Sequence, residues 1–183
     1  MESFKAVAVI LKRTNFGEAD RYVSLFTRSR GKLTCIAKGV RKMTSRRAAH
    51  LEIFNQSKLY FSVNNGTYYI NGVESINNYR NLKENEAKVH LAFAFCELIE
   101  KISPEGVPNR KVYDVLLLAL DHIDKLSEEL TLSYCDKVIE RFFLRVLTEY
   151  GYISDTMSVD VMEYAQQIIG RKFNSIEVAK RTL

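Results

Sequence analysis

The spacing of hydrophobic residues along the chain changes near residue 80. Before that point, short apolar runs are separated by glycine and asparagine turns, a pattern that predicts β-strands. After it, apolar residues recur about every 3.6 positions, which predicts amphipathic helices. The pattern therefore predicts an α+β protein with two domains, in which residues 1–80 form a sheet domain and residues 81–183 form an all-α helical bundle.

Five strands are predicted in the first domain. Gly31 and the pair Asn65-Gly66 mark tight hairpin turns, because glycine and asparagine tolerate a positive φ. Five short strands are too few for a well-covered sandwich, whereas closure into a barrel removes exposed edges. We therefore expect a five-stranded OB-fold barrel, with a loop at 16–20. The predicted strands are Phe4–Leu11, Tyr22–Thr27, Lys32–Lys38, Ser57–Val63 and Thr67–Ile76.

Five helices are predicted in the second domain, and Pro104, Gly151 and Gly170 end the first, third and fourth of them. The run Val115–Leu120 is apolar nearly all round, which predicts that the second helix lies at the centre of the bundle. The predicted helices are Glu84–Ile102, Asn109–Leu126, Leu130–Tyr150, Ser158–Ile169 and a last one from Ser175 to the end.

The net charge of +5 hides a strong asymmetry between the two domains. Residues 1–80 contain fourteen Lys and Arg against five Asp and Glu, whereas the remainder contains thirteen against seventeen. Between Arg28 and Arg47 there is no acidic residue at all. A one-sided run of this kind raises the local potential and favours binding to a polyanion such as nucleic acid. Its eight cations are Arg28, Arg30, Lys32, Lys38, Arg41, Lys42, Arg46 and Arg47.

The segment from Arg41 to Ala49 mixes Ser and Thr with Lys and Arg and has little apolar periodicity. This composition predicts a mobile loop that contacts phosphates and orders on its ligand. OB-fold barrels also stack bases on aromatic rings, although aromatic residues in strands more often pack in the core or the sheet. The candidates for stacking are Phe16, Tyr22, Tyr60, Tyr68 and Tyr69.

The residues give little support for disulfides, metal or cofactor binding, catalysis or membrane insertion. The three cysteines are far apart and lie among apolar residues, which predicts buried, reduced thiols. The three histidines lack ligand spacing, so we expect neither a metal nor another cofactor, and no catalytic residue. Glu18 and Asp20 are expected to pair with Arg21 or Arg41. No apolar run is long enough for a membrane span, and no signal peptide is evident, which favours the cytoplasm.

Several motifs resemble one known family. The runs Glu18–Arg21, Leu25–Thr27 with Gly31-Lys32, Ala37–Arg41 with Ser45-Arg46, and Leu51–Phe54 resemble the amino-terminal barrel of the bacterial RecO family of recombination mediators and DNA-repair proteins. The runs Glu97–Lys101 with Pro104–Gly106, and Arg141–Leu147 with Gly151-Tyr152, are similar to that family's helical domain. The resemblance covers nearly the whole chain.

This resemblance implies a non-enzymatic protein that binds single- and double-stranded DNA and anneals complementary strands. With RecR, such a protein helps to load RecA onto strands coated by single-stranded-DNA-binding protein. The barrel would hold DNA, and an apolar groove in the helical domain would bind the acidic, Phe-ended tail of the single-strand binder. We expect that groove to have a basic rim from residues such as Lys101, Arg141, Arg145 or Arg171.

One departure from the family is visible. Many relatives insert a four-cysteine zinc module after the Gly-Tyr segment, whereas here no cysteine follows Cys135. The chain thus resembles a zinc-free, shortened member. Two other classes remain open from the residues alone: an RNA-binding OB-fold protein, since this barrel accepts either nucleic acid, and a protein-binding adaptor whose basic face meets an acidic partner.

Overall fold

The computed structural model describes residues 2–127, 130–154 and 158–176. It confirms the predicted OB-fold barrel followed by a helical region. The last predicted helix begins within Asn174–Ile176, and the rest of it lies outside the described residues. The elements are β1 (Glu2–Phe16), β2 (Asp20–Thr27), β3 (Gly31–Ala37), β4 (Gln56–Asn64), β5 (Thr67–Asn77), α1 (Arg80–Lys83), α2 (Glu86–Ile102), α3 (Arg110–Lys125), α4 (Leu132–Glu149) and α5 (Val161–Ile169).

The five strands close into a barrel in the order β1-β2-β3-β5-β4. All neighbours are antiparallel except β3 and β5, which are parallel and share only the pairs Cys35↔Tyr68 and Ile36↔Tyr69. Inward-facing apolar side chains such as Val23, Leu59 and Ile70 fill the interior. The β4–β5 hairpin turns at the predicted Asn-Gly pair, whose two residues both have a positive φ.

Strand β1 is longer than the pattern predicts, because it has two partners. Its first half pairs with β4, and its second half pairs with β2 as far as Phe16 opposite Asp20. The polar end of β1 therefore extends as a hairpin, and the prediction of a loop over 16–20 is wrong except for the three-residue turn 17–19. Apolar periodicity misses this part because both faces of the hairpin end are open to solvent.

Helix α2 lies at the centre of the helical region. It buries ten side chains, and Phe95 packs on Phe142 of α4 with the ring centroids 4.2 Å apart. The prediction of a central α3 is wrong, because α3 buries one stripe from Val112 to Ile123 while Leu118 is 70% exposed. A run of leucines around a helix does not show which of them find a neighbour to pack against.

The chain separates into two compact units. One, the barrel unit, consists of Met1–Asn78 together with Ser103–Arg110, and the other, the helical unit, consists of Tyr79–Ile102 and Lys111–Leu183. The segment between α2 and α3, which we call the strap (103–110), therefore belongs with the barrel. Hydrophobic periodicity gave no sign of this, because the strap has no regular pattern.

Candidate nucleic-acid interface

The eight predicted cations lie towards the two ends of the β2–β3 hairpin. Strand β3 has seven residues, and at about 3.3 Å per residue it separates the two ends by roughly 20 Å. Three cations, here called the turn cations, flank the turn between the strands: Arg28, Arg30 and Lys32. The other five lie at the far end of β3 and in the loop after it: Lys38, Arg41, Lys42, Arg46 and Arg47. The fold thus divides the run into two groups.

The turn cations have carboxylates close by. The Nη2 atom of Arg30 lies 3.7 Å from Oε1 of Glu2, and its guanidinium carbon lies 4.0 Å from the ring centroid of Phe4. The strap brings a second acid, because Oε1 of Glu105 accepts a 2.6 Å hydrogen bond from the backbone N–H of Thr34. These carboxylates lower the positive potential at this end of the hairpin.

Gly31 allows the strap to lie against the edge of β3. Its φ is +68°, and a Cβ atom built there would lie 2.0 Å from the carbonyl oxygen of Val107. The N–H of Gly106 donates to the carbonyl of Lys32 at 2.8 Å, so the strap pairs with the part of β3 that β5 does not reach. Only glycine fits such a backbone approach.

The loop after β3 is held at its start by the β1–β2 hairpin. Asp20 Oδ1 accepts a 2.6 Å hydrogen bond from the N–H of Gly39. The N–H of Arg41 donates to Ala19 O at 2.9 Å, and its guanidinium donates to Gly17 O at 3.1 Å. The contact found for Asp20 is therefore a backbone hydrogen bond, in place of the expected pairing with an arginine, and it positions the loop.

Arg47 differs from its neighbours in the run. Its guanidinium donates from Nη1 to the carbonyl of Ile70 at 2.6 Å and from Nη2 to the carbonyl of Lys38 at 2.5 Å. It thereby joins the end of β3 to β5, beside the parallel seam that has only two paired positions. These two hydrogen bonds to backbone carbonyls give Arg47 a structural role.

The remaining four, here called the loop cations, all have exposed side chains: Lys38, Arg41, Lys42 and Arg46. In the described part of the chain, no ion pair joins any of them to a carboxylate. Their positive charge is therefore available to an external anion.

Arg21 adds to this positive region, and the sequence reasoning did not propose it as a contact. Burial, followed by the neighbouring guanidinium of Arg13, lowers the pKa of Arg21; Glu52 opposes the shift and Arg41 adds to it. The strand register places Arg21 opposite Ala37, directly before the loop cations begin. The β2–β3 hairpin predicted from Gly31 places Arg21 beside the end of β3, so that prediction could have identified Arg21 as a contact.

A cleft of about 440 Å³ opens on the outer side of the seam between β3 and β5. Its lining combines cations, amides and one aromatic ring, and includes Lys38, Arg47, Tyr69 and Asn71. The Nζ atom of Lys38 lies 5.0 Å from the ring centroid of Tyr69. Such a lining offers charge to a phosphate and a flat apolar face to a base.

The helical unit carries an apolar groove of about 480 Å³ between α3 and α4. Leu118, Val138 and Phe142 are among its apolar residues, and its cationic residues are Lys137, Arg141 and Arg145. These three are spaced four apart along α4, which places them on one face of the helix. That spacing could have identified Lys137, which the sequence reasoning missed.

Two of the four predicted rim residues thus line the groove. Of these, Arg145 also pairs with Glu149 at 2.9 Å. The other two do not line it: Lys101 lies in the last turn of α2 and pairs with Glu100 at 2.9 Å, and Arg171 follows α5.

The three cysteines are buried and free, as predicted. Burial raises the pKa of each thiol. Over the described ranges, no three His, Cys, Asp or Glu side chains come close enough together to hold a metal ion. Nor does any helix there have the length and apolar character needed to cross a membrane.

Family comparisons agree with this architecture. The sequence model described as Recombination protein O N terminal matches residues 1–79, and the one described as Recombination protein O C terminal matches residues 87–158. The chain belongs to the RecO family. The first match spans strands β1 to β5 of this RecO-family chain, and the second spans most of α2 and all of α3 and α4.

Individual relatives support the same assignment. Proteins named DNA repair protein RecO from Dehalococcoides mccartyi, Heliobacterium modesticaldum and Rubrobacter xylanophilus are 34%, 34% and 30% identical to this chain over 150, 152 and 128 residues. These alignments cover 81%, 83% and 70% of this chain, but 56%, 53% and 51% of the relatives. The chain therefore spans about half the length of the curated RecO proteins that it matches.

Proposed function

We propose that this RecO-family chain is a non-enzymatic DNA-binding recombination mediator of the bacterial cytoplasm. It binds single- and double-stranded DNA through the barrel unit and anneals complementary strands. With RecR, it helps to load RecA onto strands coated by single-stranded-DNA-binding protein, in DNA repair and homologous recombination. Membership of the family supports the mediator role.

The observation that carries DNA binding is the group of four exposed loop cations, which no carboxylate neutralises within the described residues. Each cation that contacts a phosphate releases counterions from the nucleic acid. Four contacts correspond to a slope of about −3 to −3.5 for log affinity against log salt concentration, depending on whether the strand is single or duplex. The contacts are to the backbone, so they carry no sequence preference.

A charge-reversal pair tests this proposal. The double variant Arg41→Glu with Arg46→Glu is expected to bind oligonucleotides more weakly, to a similar extent for every sequence, because it removes phosphate contacts. Its salt slope should be flatter by about 1.5 to 2. The measurement is fluorescence anisotropy at several KCl concentrations, and the matched control is Lys5→Glu, an exposed cation on β1 away from the loop. Wild-type affinity and slope in the double variant would exclude the loop as the contact.

The same assay separates the other functional classes. Competition between DNA and RNA of equal length and sequence is expected to favour DNA. A clear preference for RNA would favour the RNA-binding alternative. The two polymers offer the same phosphates, so phosphate contacts alone would not produce such a preference. If the protein binds neither DNA nor RNA at low salt, the protein-binding adaptor is the remaining alternative.

The groove between α3 and α4 is the proposed site for the acidic tail of single-stranded-DNA-binding protein. Its apolar residues can receive an apolar terminal side chain, and the cations of α4 can meet carboxylates of the same peptide. Leu118 is well placed to contribute, since it is 70% exposed and lines the groove.

Calorimetry with a synthetic acidic peptide that ends in Phe tests this assignment. Leu118→Glu and Arg141→Glu are expected to weaken binding, the first by placing a charge among the apolar residues and the second by removing an attraction. Arg171→Glu is the control, because Arg171 does not line the groove. Equal losses in all three variants would show that net charge alone attracts the peptide.

A further inference from the structure

Two of the five aromatic candidates are engaged within the barrel unit. Tyr68 packs against the interior and meets the Phe4 ring edge-on at 6.0 Å. The hydroxyl of Tyr60 donates to Oε1 of Glu74 at 2.7 Å, which places a carboxylate beside that ring. A ring in the core or next to a carboxylate is a poor platform for a polyanion.

The other three candidates belong to one outer face of the sheet. Tyr22 of β2 is registered with Ile36 of β3, and Ile36 is registered with Tyr69 of β5. The neighbouring residues Val23 and Cys35 are completely buried in the core. Because side chains alternate across a strand, Tyr22, Ile36 and Tyr69 all point outwards.

Both ends of this row are extended by further contacts. The ring of Phe16 lies 4.5 Å from the ring of Tyr22, and the two side chains are 44% and 38% exposed. At the other end, Tyr69 lines the cleft and Lys38 lies over its ring. Neighbouring strands are about 4.8 Å apart, so the row from β2 to β5 extends roughly 10 Å. We call Phe16, Tyr22, Ile36 and Tyr69 the outer aromatic row.

We propose that the outer aromatic row stacks the unpaired bases of single-stranded DNA while the loop cations hold its phosphates. This inference rests on the proposed DNA binding, and it adds that the barrel distinguishes single-stranded from double-stranded DNA. Rows of this kind bind bases through their flat faces and tolerate any sequence. In a duplex, those faces are covered by neighbouring base pairs. The row has room for roughly two to three nucleotides, at about 3.4 Å between bases.

The position of the cations agrees with this assignment. Lys38 is two residues beyond Ile36 on the same side of β3, and Arg41, Lys42 and Arg46 follow in the loop. A strand that crosses β2, β3 and β5 on the row would therefore have its bases on the sheet and the cations along one side. The turn cations lie at the opposite end of β3 and are not required.

The first experiment compares three DNA ligands of equal length by anisotropy: a single strand, the same strand with abasic sites, and a duplex. Tyr22→Leu and Tyr69→Leu are each expected to weaken single-strand binding by roughly 5- to 150-fold, the range that corresponds to the loss of one stacked base. Binding to the duplex and to the abasic strand, and the salt slope, should stay at wild-type values. Tyr60→Leu is the matched control and should not change single-strand binding.

The second experiment uses the absence of tryptophan from the chain. Tyr69→Trp keeps a stacking surface and introduces a single tryptophan, whose emission should be quenched by a single strand and much less by the abasic strand. Tyr60→Trp should show no such difference. The tryptophan readout remains valid even if the leucine variants do not fold. The same holds for the comparison of the three DNA ligands with the wild-type protein.

Two results would overturn the stacking inference while leaving DNA binding intact: wild-type protein that binds normal and abasic strands equally, or leucine variants that weaken single-strand and duplex binding equally. In either case the charge-reversal pair would still weaken binding. If the charge-reversal pair also binds like wild type, the proposed DNA interface itself fails.

Discussion

Arg46 and Arg47 are adjacent and carry the same charge, yet the fold gives them different environments. Arg46 is an exposed loop cation, whereas the guanidinium of Arg47 donates to two backbone carbonyls across the β3–β5 seam. We therefore expect Arg46→Ala to reduce DNA binding without changing stability. For Arg47→Ala, we expect the main effect to be a loss of stability.

The magnitudes follow from the contacts. A hydrogen bond that involves a charged group contributes about 1.5–3 kcal/mol when it is protected from solvent, and the bond to Lys38 is exposed. Loss of both should therefore cost about 2 kcal/mol, which lowers the melting temperature of a chain of this size by about 4–8 °C. Arg46→Ala should change stability by no more than about 0.5 kcal/mol and reduce the salt slope by about 0.7–0.9.

The assays are thermal unfolding followed by circular dichroism and salt-dependent anisotropy, both applied to each variant. Arg47→Lys serves as an additional control, because it keeps the positive charge but lacks the planar fork of guanidinium N–H groups that donates to both carbonyls. If Arg47→Ala melts like wild type and loses the same salt slope as Arg46→Ala, Arg47 does not have this structural role. Arg47 would then be a phosphate contact like its neighbour.

Three further outcomes are expected. Gly31→Ala should lower the melting temperature more than Gly17→Ala, because both have a positive φ but only a Cβ at Gly31 would clash with Val107; equal shifts would show that the strap adjusts freely. Lys88→Met should destabilise the fold by about 1–3 kcal/mol in urea unfolding, since its buried Nζ donates to carbonyls at the end of α3, while exposed Lys125→Met should be neutral. The three thiols, whose pKa values are raised by burial, should resist a thiol reagent until the protein unfolds. Because unfolded thiols ionise with a pKa of about 8.5 and burial raises the pKa of the folded ones, the contribution of the thiols to stability should be constant below that pH and fall above it.

The elements of secondary structure were largely predictable from local patterns. Alternation, the Asn65-Gly66 turn and the change of period near residue 80 depend on neighbouring residues, and they predicted all five strands and the longer described helices within a few residues, apart from the second half of β1. Burial of the thiols was equally predictable, since each lies in an apolar run. These features depend on which side chains must avoid water.

The candidate site was predictable only in outline. The acid-free run from Arg28 to Arg47 indicated a cationic surface, but not that β3 holds its two ends roughly 20 Å apart. The structure also showed that Glu2 and Glu105 lie near one end, because the strap returns to the barrel. Contacts between residues that are distant in sequence are not visible in a local pattern.

By itself, the sequence determined the kind of protein: a small closed barrel with an excess of positive charge, followed by helices, with motifs that resemble the RecO family. The tertiary structure alone decided which members of each residue class face solvent. It separated Arg46 from Arg47, Tyr22 and Tyr69 from Tyr68, and Leu118 from the buried stripe of α3. The physical reason is that hydrophobicity and charge belong to the residue, whereas exposure and hydrogen-bond partners depend on the strand register and on the segments that pack nearby.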